Sequence, residues 1–211
     1  MTFWLSCFVF LINISSAGVV TIRNQVINDT QIIRKDSKIS VIAHMKLEEG
    51  DEAMTMGNPV VLYLYPSTQI YLAKNSRIKI SKHLTEDKAG VKKVHSIIEL
   101  IQGIVHLQVM KDNKLEIDQS VVGDSISFAV RGTEFEVAKE GLNYDLDVLK
   151  GEVEASSPYV QTFVPEIVKA QEGFRFNLKE KSFQRRKFVE RLKGNLGFSS
   201  PEEIQKKWKQ K

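Results

Sequence analysis

The chain has 211 residues, 42% of them apolar and 27% charged, with a net charge of +4 and a single cysteine. That length suits one domain of ordinary size plus appendages, and the apolar share is enough for a core, which excludes disorder as the global state. The charge is uneven: residues 179–211 hold 11 Lys and Arg against 4 Glu, a net +7 that leaves −3 on the rest, so the overall isoelectric point is a poor guide to partners.

The chain opens on an apolar run, Phe3 to Ile14, that contains no charge. Ser15-Ser16-Ala17 then offers small residues at the −3 and −1 positions of a cleavage site before Gly18. The run is shorter than the roughly 20 residues a bilayer span needs. Residues 1–17 are therefore expected to be a cleaved signal peptide, with a periplasmic or envelope-associated product. Nothing basic precedes Phe3, so either the true start lies upstream or the α-amino group supplies the positive charge. Cys7 interrupts the run instead of following it, so lipidation is not expected. Cleavage after Ala17 would leave a mature chain without cysteine, excluding disulfides and thiol catalysis.

From Val19 onward short strands alternate with turn chemistry. Val60 to Leu64 lies between Asn58-Pro59 and Pro66-Ser67. Ile70 and Leu72 flank Tyr71; Ile78 and Ile80 oppose Arg77, Lys79 and Ser81; Val105, Leu107 and Val109 alternate with His106 and Gln108. Phe135 and Val137 alternate with Glu134 and Glu136. Tyr144, Leu146 and Val148 alternate with Asp145 and Asp147, and Val153 and Ala155 with Glu152 and Glu154. This period of two predicts antiparallel sheet with one wet face. Turns are expected at Glu49-Gly50-Asp51, Lys111-Asp112-Asn113, Gly123-Asp124-Ser125 and Glu140-Gly141. The expected class is all-β: an antiparallel sandwich, a barrel or a solenoid-like domain over residues 18–178, with no regular repeat of 20 to 50 residues. After Asn177 the pattern changes. Ser182 is a candidate cap for a helix through Phe183, Lys187, Phe188, Arg191 and Leu192, stopped by Gly194 or Gly197. Ser200-Pro201-Glu202-Glu203 reads as a second helix start, with Ile204 and Trp208 four apart. Residues 179–211 are thus expected to be a basic helical tail.

The most distinctive stretch is Val130-Arg131-Gly132-Thr133-Glu134-Phe135-Glu136-Val137, followed by Leu146 to Ala155 with Gly151 inside it. These elements resemble the FecR domain, and the order of the others agrees. Leu47, Gly50 and Asp51 look like that family's GD turn. Leu62, Leu64, Ile70, Leu72, Asn75, Ser76 and Ile78 look like its central hairpin and the asparagine-serine turn after it. Leu100, Gly103, Ile104 and Val105 resemble the next strand-glycine-strand. Val130, Arg131, Gly132, Thr133, Phe135 and Val137 match the VRGT-x-F-x-V core. Val148, Gly151 and Val153 match the following pair, and Val168, Ala170 and Gly173 the closing pattern. The central turn departs from the common Asp-Gly-Ser, holding Tyr65-Pro66-Ser67-Thr68. The resemblance implies an exported β-module. Family members that regulate sigma factors carry a cytoplasmic region before one membrane span, whereas two residues precede the apolar run here; a stand-alone exported FecR domain is the expectation.

The motif residues Val130, Arg131, Gly132, Thr133, Phe135, Val137 and Gly151 are read as a structural corner. Gly132 would allow positive φ or a bulge, and Arg131 would tie carbonyls or a carboxylate across the bend. His44, His83, His95 and His106 lack metal-ligand spacing. Asp145 with Asp147, and Glu134 with Glu136, are read as exposed strand faces, and His106 as facing solvent. No nucleophile elbow or phosphate-cradling glycine loop occurs. No enzyme, cofactor, metal or nucleic-acid partner is expected. The tail has three readings: packing on the sheet through Phe183, Phe188 and Leu192, contact with an anionic surface such as lipid headgroups or a cell-wall polymer, and, least favoured because an exported protein seldom meets it, nucleic acid. The favoured reading is a non-enzymatic envelope binding or scaffolding module, with an envelope protein or cell-wall polymer met at an exposed sheet edge. The alternative is a periplasmic component of FecR-type cell-surface signalling that relays outer-membrane receptor state.

Overall fold

A computed structural model describes residues 16–17, 20–22, 29–42, 45–88, 91–109, 114–130, 132–157, 164–189 and 191. Among these the chain forms strands and turns, with no helix. In chain order they are β1 (Ser16–Ala17), β2 (Val20–Ile22), β3 (Thr30–Arg34), β4 (Ser37–Ile39), β5 (Lys46–Leu47) and β6 (Glu52–Thr55). Next come β7 (Val60–Leu64), β8 (Thr68–Leu72), β9 (Arg77–Lys88), β10 (Val91–Val109), β11 (Leu115–Val122) and β12 (Ser127–Val130). The last are β13 (Glu134–Glu140), β14 (Asn143–Lys150), β15 (Glu152–Ser156), β16 (Glu166–Lys169), β17 (Glu172–Asn177) and β18 (Ser182–Lys187). The all-β class expected from the alternation is what the structure shows.

The strands form two sheets. The first runs β4-β3-β6-β9-β10-β11-β12-β15-β16, with β1 added beside β9. The second runs β5-β2-β7-β8-β10-β13-β14-β17-β18. Neither closes on itself: β4 and β16 end the first, β5 and β18 the second. Both turn apolar side chains into one core. The first sheet contributes Ile78, Ile98, Phe128 and Val153 among others; the second contributes Leu72, Leu107, Phe135, Leu146 and Phe176.

β10 belongs to both sheets. Val91–Gln102 pairs in the first and Gly103–Val109 in the second. The change of sheet falls at Gly103, whose φ is +85°. A Cβ there would lie 2.6 Å from Ser76 Cα, so the bend needs glycine for space as well as for conformation. Ser76 Oγ accepts from Ile104 N at 2.9 Å, and Ser76 N donates to Thr55 Oγ1 at 3.0 Å. Asn75, at φ +57°, makes the preceding turn. One pairing differs from the antiparallel expectation. β11 runs parallel to β10, Lys92–Glu99 against Leu115–Val122. The second half of β10 leaves for the other sheet, so the chain re-enters the first from the same end and cannot form a hairpin.

The helix expected from Ser182 is absent over Ser182–Lys187. These residues are β18, paired with β17 from Glu172 to Asn177. Phe183 packs between Phe174 and Phe176, at 4.9 and 4.7 Å between ring centroids. An edge ladder and an aromatic contact outweigh a local helical pattern. The expected turn at Lys111-Asp112-Asn113, the second helix start at Ser200-Pro201 and the apolar run Phe3–Ile14 lie outside the described residues. So does His44.

Candidate functional site

The motif residues meet where β12, β13 and β15 begin or end. Val130, Thr133, Phe135 and Val137 are buried, the last two completely. Gly132 and Gly151 have φ of +65° and +85°. A Cβ on Gly151 would lie 2.5 Å from Thr133 Cγ2 and 3.3 Å from Gly132 O. Thr133 O accepts from Val109 N at 2.9 Å, tying this corner to the end of β10. Arg131 lies outside the described residues.

The face of the second sheet opposite the core is not wet, contrary to the simple alternation rule. Register aligns Tyr71, His106, Glu136 and Asp147 across β8, β10, β13 and β14. All four are at most 1% exposed, and Asp145 is 2% exposed. Glu134 is half-buried and lies 3.3 Å from His106 Nε2. Alternation sorts residues to two faces; it does not say that the outer one is uncovered.

What covers β14 is arginine. Arg175 on β17 grips Asp145 with two parallel bonds, Nε to Oδ1 at 2.6 Å and Nη2 to Oδ2 at 2.7 Å. Arg186 on β18 donates to Asp147 Oδ2. Beyond the last strand, Val189 N donates to Asp147 Oδ1 at 2.9 Å, and Arg191 Nη2 reaches Asp145 Oδ2 at 2.5 Å. Burial opposes the charge on Asp145, but Arg175, Arg186 and Arg191 outweigh it and hold its carboxyl below the usual carboxylate range. Buried carboxylates persist only when paired in this way.

Three further polar knots went unread in the sequence because their partners are far apart in it. Asp51 accepts from Arg34 Nε at 2.8 Å and from Glu48 N at 2.8 Å. His83, 1% exposed, lies between Ser96 Oγ at 2.7 Å and Tyr65 O at 3.1 Å. Asp124 accepts from Lys139 Nζ at 2.8 Å and from Tyr144 Oη at 3.1 Å. Each closes a turn or a strand end onto the body. Among the described residues no group of three or more His, Cys, Asp or Glu is placed to hold a metal ion.

A trough of about 880 Å3 crosses β11, β12, β15 and β16. Motif residues Val130 and Gly151 line it, with Asp118, Glu152, Glu154 and Ile167. It abuts the edge strand β16. Ile167 is 41% exposed, and Val164 just before the strand is 75% exposed. The edge is partly sealed: Arg185 donates to Ile167 O at 3.2 Å while pairing with Glu166 and Glu172. Such a surface suits an extended protein segment better than a small molecule.

Residues 51–154 match the family model described as FecR protein. Those residues form a FecR domain. The FecR domain runs from the buried Asp51 to Glu154 in β15 and holds both the β10 crossover and the motif corner. Two crystal structures described as "a putative anti-sigma factor from Parabacteroides distasonis ATCC 8503" share the fold, each with a TM-score of 0.50 and 16% identity. The match covers 65% of this chain and 59% of each solved chain, so this chain spans less than two thirds of their length. No curated protein sequence matches significantly.

Proposed function

We propose that this FecR domain-containing protein is a non-enzymatic component of FecR-type cell-surface signalling, working by contact with other proteins. The FecR domain over residues 51–154 carries the reading. The fold shared with a protein described as an anti-sigma factor agrees with it. The apolar run Phe3–Ile14 and the small residues after it support export, which this reading requires. The trough beside β16 is the contact surface: acidic walls and an exposed isoleucine receive a segment of an envelope protein.

Transcript profiling of a gene deletion and its complemented strain tests this. The expected result is a discrete set of transcripts that changes on deletion and returns on complementation. Unchanged transcripts accompanied by altered envelope permeability would replace signalling with an envelope scaffolding role. A complementing copy carrying Ile167→Glu separates fold from contact, since an exposed position should leave the melting temperature intact while the transcript response is lost.

A further inference from the structure

β16 ends the first sheet. Its inner side pairs with β15, Ile167 opposite Glu154 and Lys169 opposite Glu152. The outer side of such a strand leaves alternate backbone groups without a ladder partner. In β16 those groups include the Ile167 carbonyl and the Lys169 amide, and side chains meet both. Arg185 Nη2 donates to Ile167 O at 3.2 Å, and Lys169 N donates to Glu172 Oε2 at 2.8 Å. The two side chains are themselves joined, Arg185 Nη1 to Glu172 Oε2 at 2.9 Å, and Arg185 Nη2 also reaches Glu166 Oε2 at 2.9 Å.

Local structure aims them. Gln171, at φ +66°, turns the chain so that Glu172 comes back to an amide three residues before it. Arg185 stands opposite Phe174 in the β17–β18 ladder. The Lys169 amide, aided by the charge of Arg185, holds the Glu172 carboxyl below the usual carboxylate range.

The two capped groups are the ones a second copy would use. Two β16 strands can pair antiparallel about a two-fold axis at Val168. Ile167 of each copy then lies opposite Lys169 of the other, and such a pair exchanges both N–H···O bonds. One of those bonds runs from the Lys169 amide to the Ile167 carbonyl. The edge is therefore self-complementary, and it carries the exposed Ile167.

We propose that Arg185 and Glu172 together are a side-chain stand-in for a strand, closing the β16 edge against pairing with a second copy of this chain. A segment bound in the trough then makes its contacts through side chains, not by adding a strand. This holds whether or not the domain signals.

Sedimentation velocity of the full chain tests this. Arg185→Ala/Glu172→Ala should dimerise at roughly tenfold lower concentration than wild type, since two charge-assisted caps are gone. Adding Lys169→Pro removes the N–H that pairing needs and breaks no ladder bond within one chain, so it should restore wild-type behaviour. A double variant that associates no more than wild type, or one that dimerises equally well with the proline, would overturn the proposal. If the double variant does not fold, hydrogen exchange of Glu172→Ala decides. The Lys169 amide should exchange roughly tenfold faster than in wild type; an unchanged rate would show that Glu172 caps nothing and sink the idea.

Discussion

Gly103 meets two demands at once, a positive φ and a Ser76 backbone too close for any side chain. Gly103→Ala should destabilise the fold by about 2–4 kcal/mol, from strain and overpacking together, read as a fall in melting temperature. His83 gives a residue-scale pH signature. Tyr65 O can only accept, so Nε2 carries the proton and Nδ1 accepts from Ser96. Burial pushes the imidazole pKa down, with the Tyr65 carbonyl and Glu49 opposing in part. A histidine whose folded pKa is depressed binds protons more weakly than in the unfolded chain. Its contribution is intact above about pH 6.5 and declines as pH falls below that, toward the folded pKa. The wild-type melting temperature should therefore drop more between pH 7.5 and 5.5 than that of His83→Gln; parallel curves would remove His83 from the account. Asp145 acts at lower pH. Its depressed pKa gives stability present above about pH 3.9 and lost as pH falls through the folded value. Asp145→Asn should be less stable at pH 7, by a margin that narrows below pH 4 as the wild-type carboxylate protonates. The sequence tells which residues share a face with Asp145, since alternation in β14 is plain. It does not tell that the face is buried, because the arginines responsible are 30 to 46 residues away.

At the scale of elements, Glu134–Glu140 and Asn143–Lys150 were legible because apolar and polar residues interleave, and Val60–Leu64 because turn residues bound an apolar run. β18 was not. Ser182, Phe183, Lys187 and Phe188 have spacing that also suits a helix, and only the neighbouring Phe174 and Phe176 settle the matter. Nor was the parallel pairing of β10 with β11, since it depends on a mid-strand change of sheet that a glycine permits but does not announce. β16 is short and carries Ile167 in the open, with Arg185 across its outward carbonyl. Arginine on an edge blocks strand addition by occupying an acceptor and by charge. Arg185→Ala should promote concentration-dependent self-association, measured by sedimentation velocity; a variant that stays monomeric at high concentration would show that the edge is guarded by something else.

For the whole molecule, composition indicated one ordinary domain and the residue order indicated its family, because the motif elements recur in sequence from Asp51 to Val153. The partner was not legible. Binding surfaces arise where strands distant in the chain come to one face, as β11 with Asp118 and β16 with Ile167 do in the trough. The uneven charge is also reshaped by folding: Arg185, Arg186 and Arg191 spend their charge on the body's own carboxylates. The strand shared between sheets has a mechanical consequence. With Val91–Gln102 stitched into one layer and Gly103–Val109 into the other, neither layer can peel away while the other holds. A single molecule stretched in an optical trap should resist and then give way in one rip, with no pause at half its contour length.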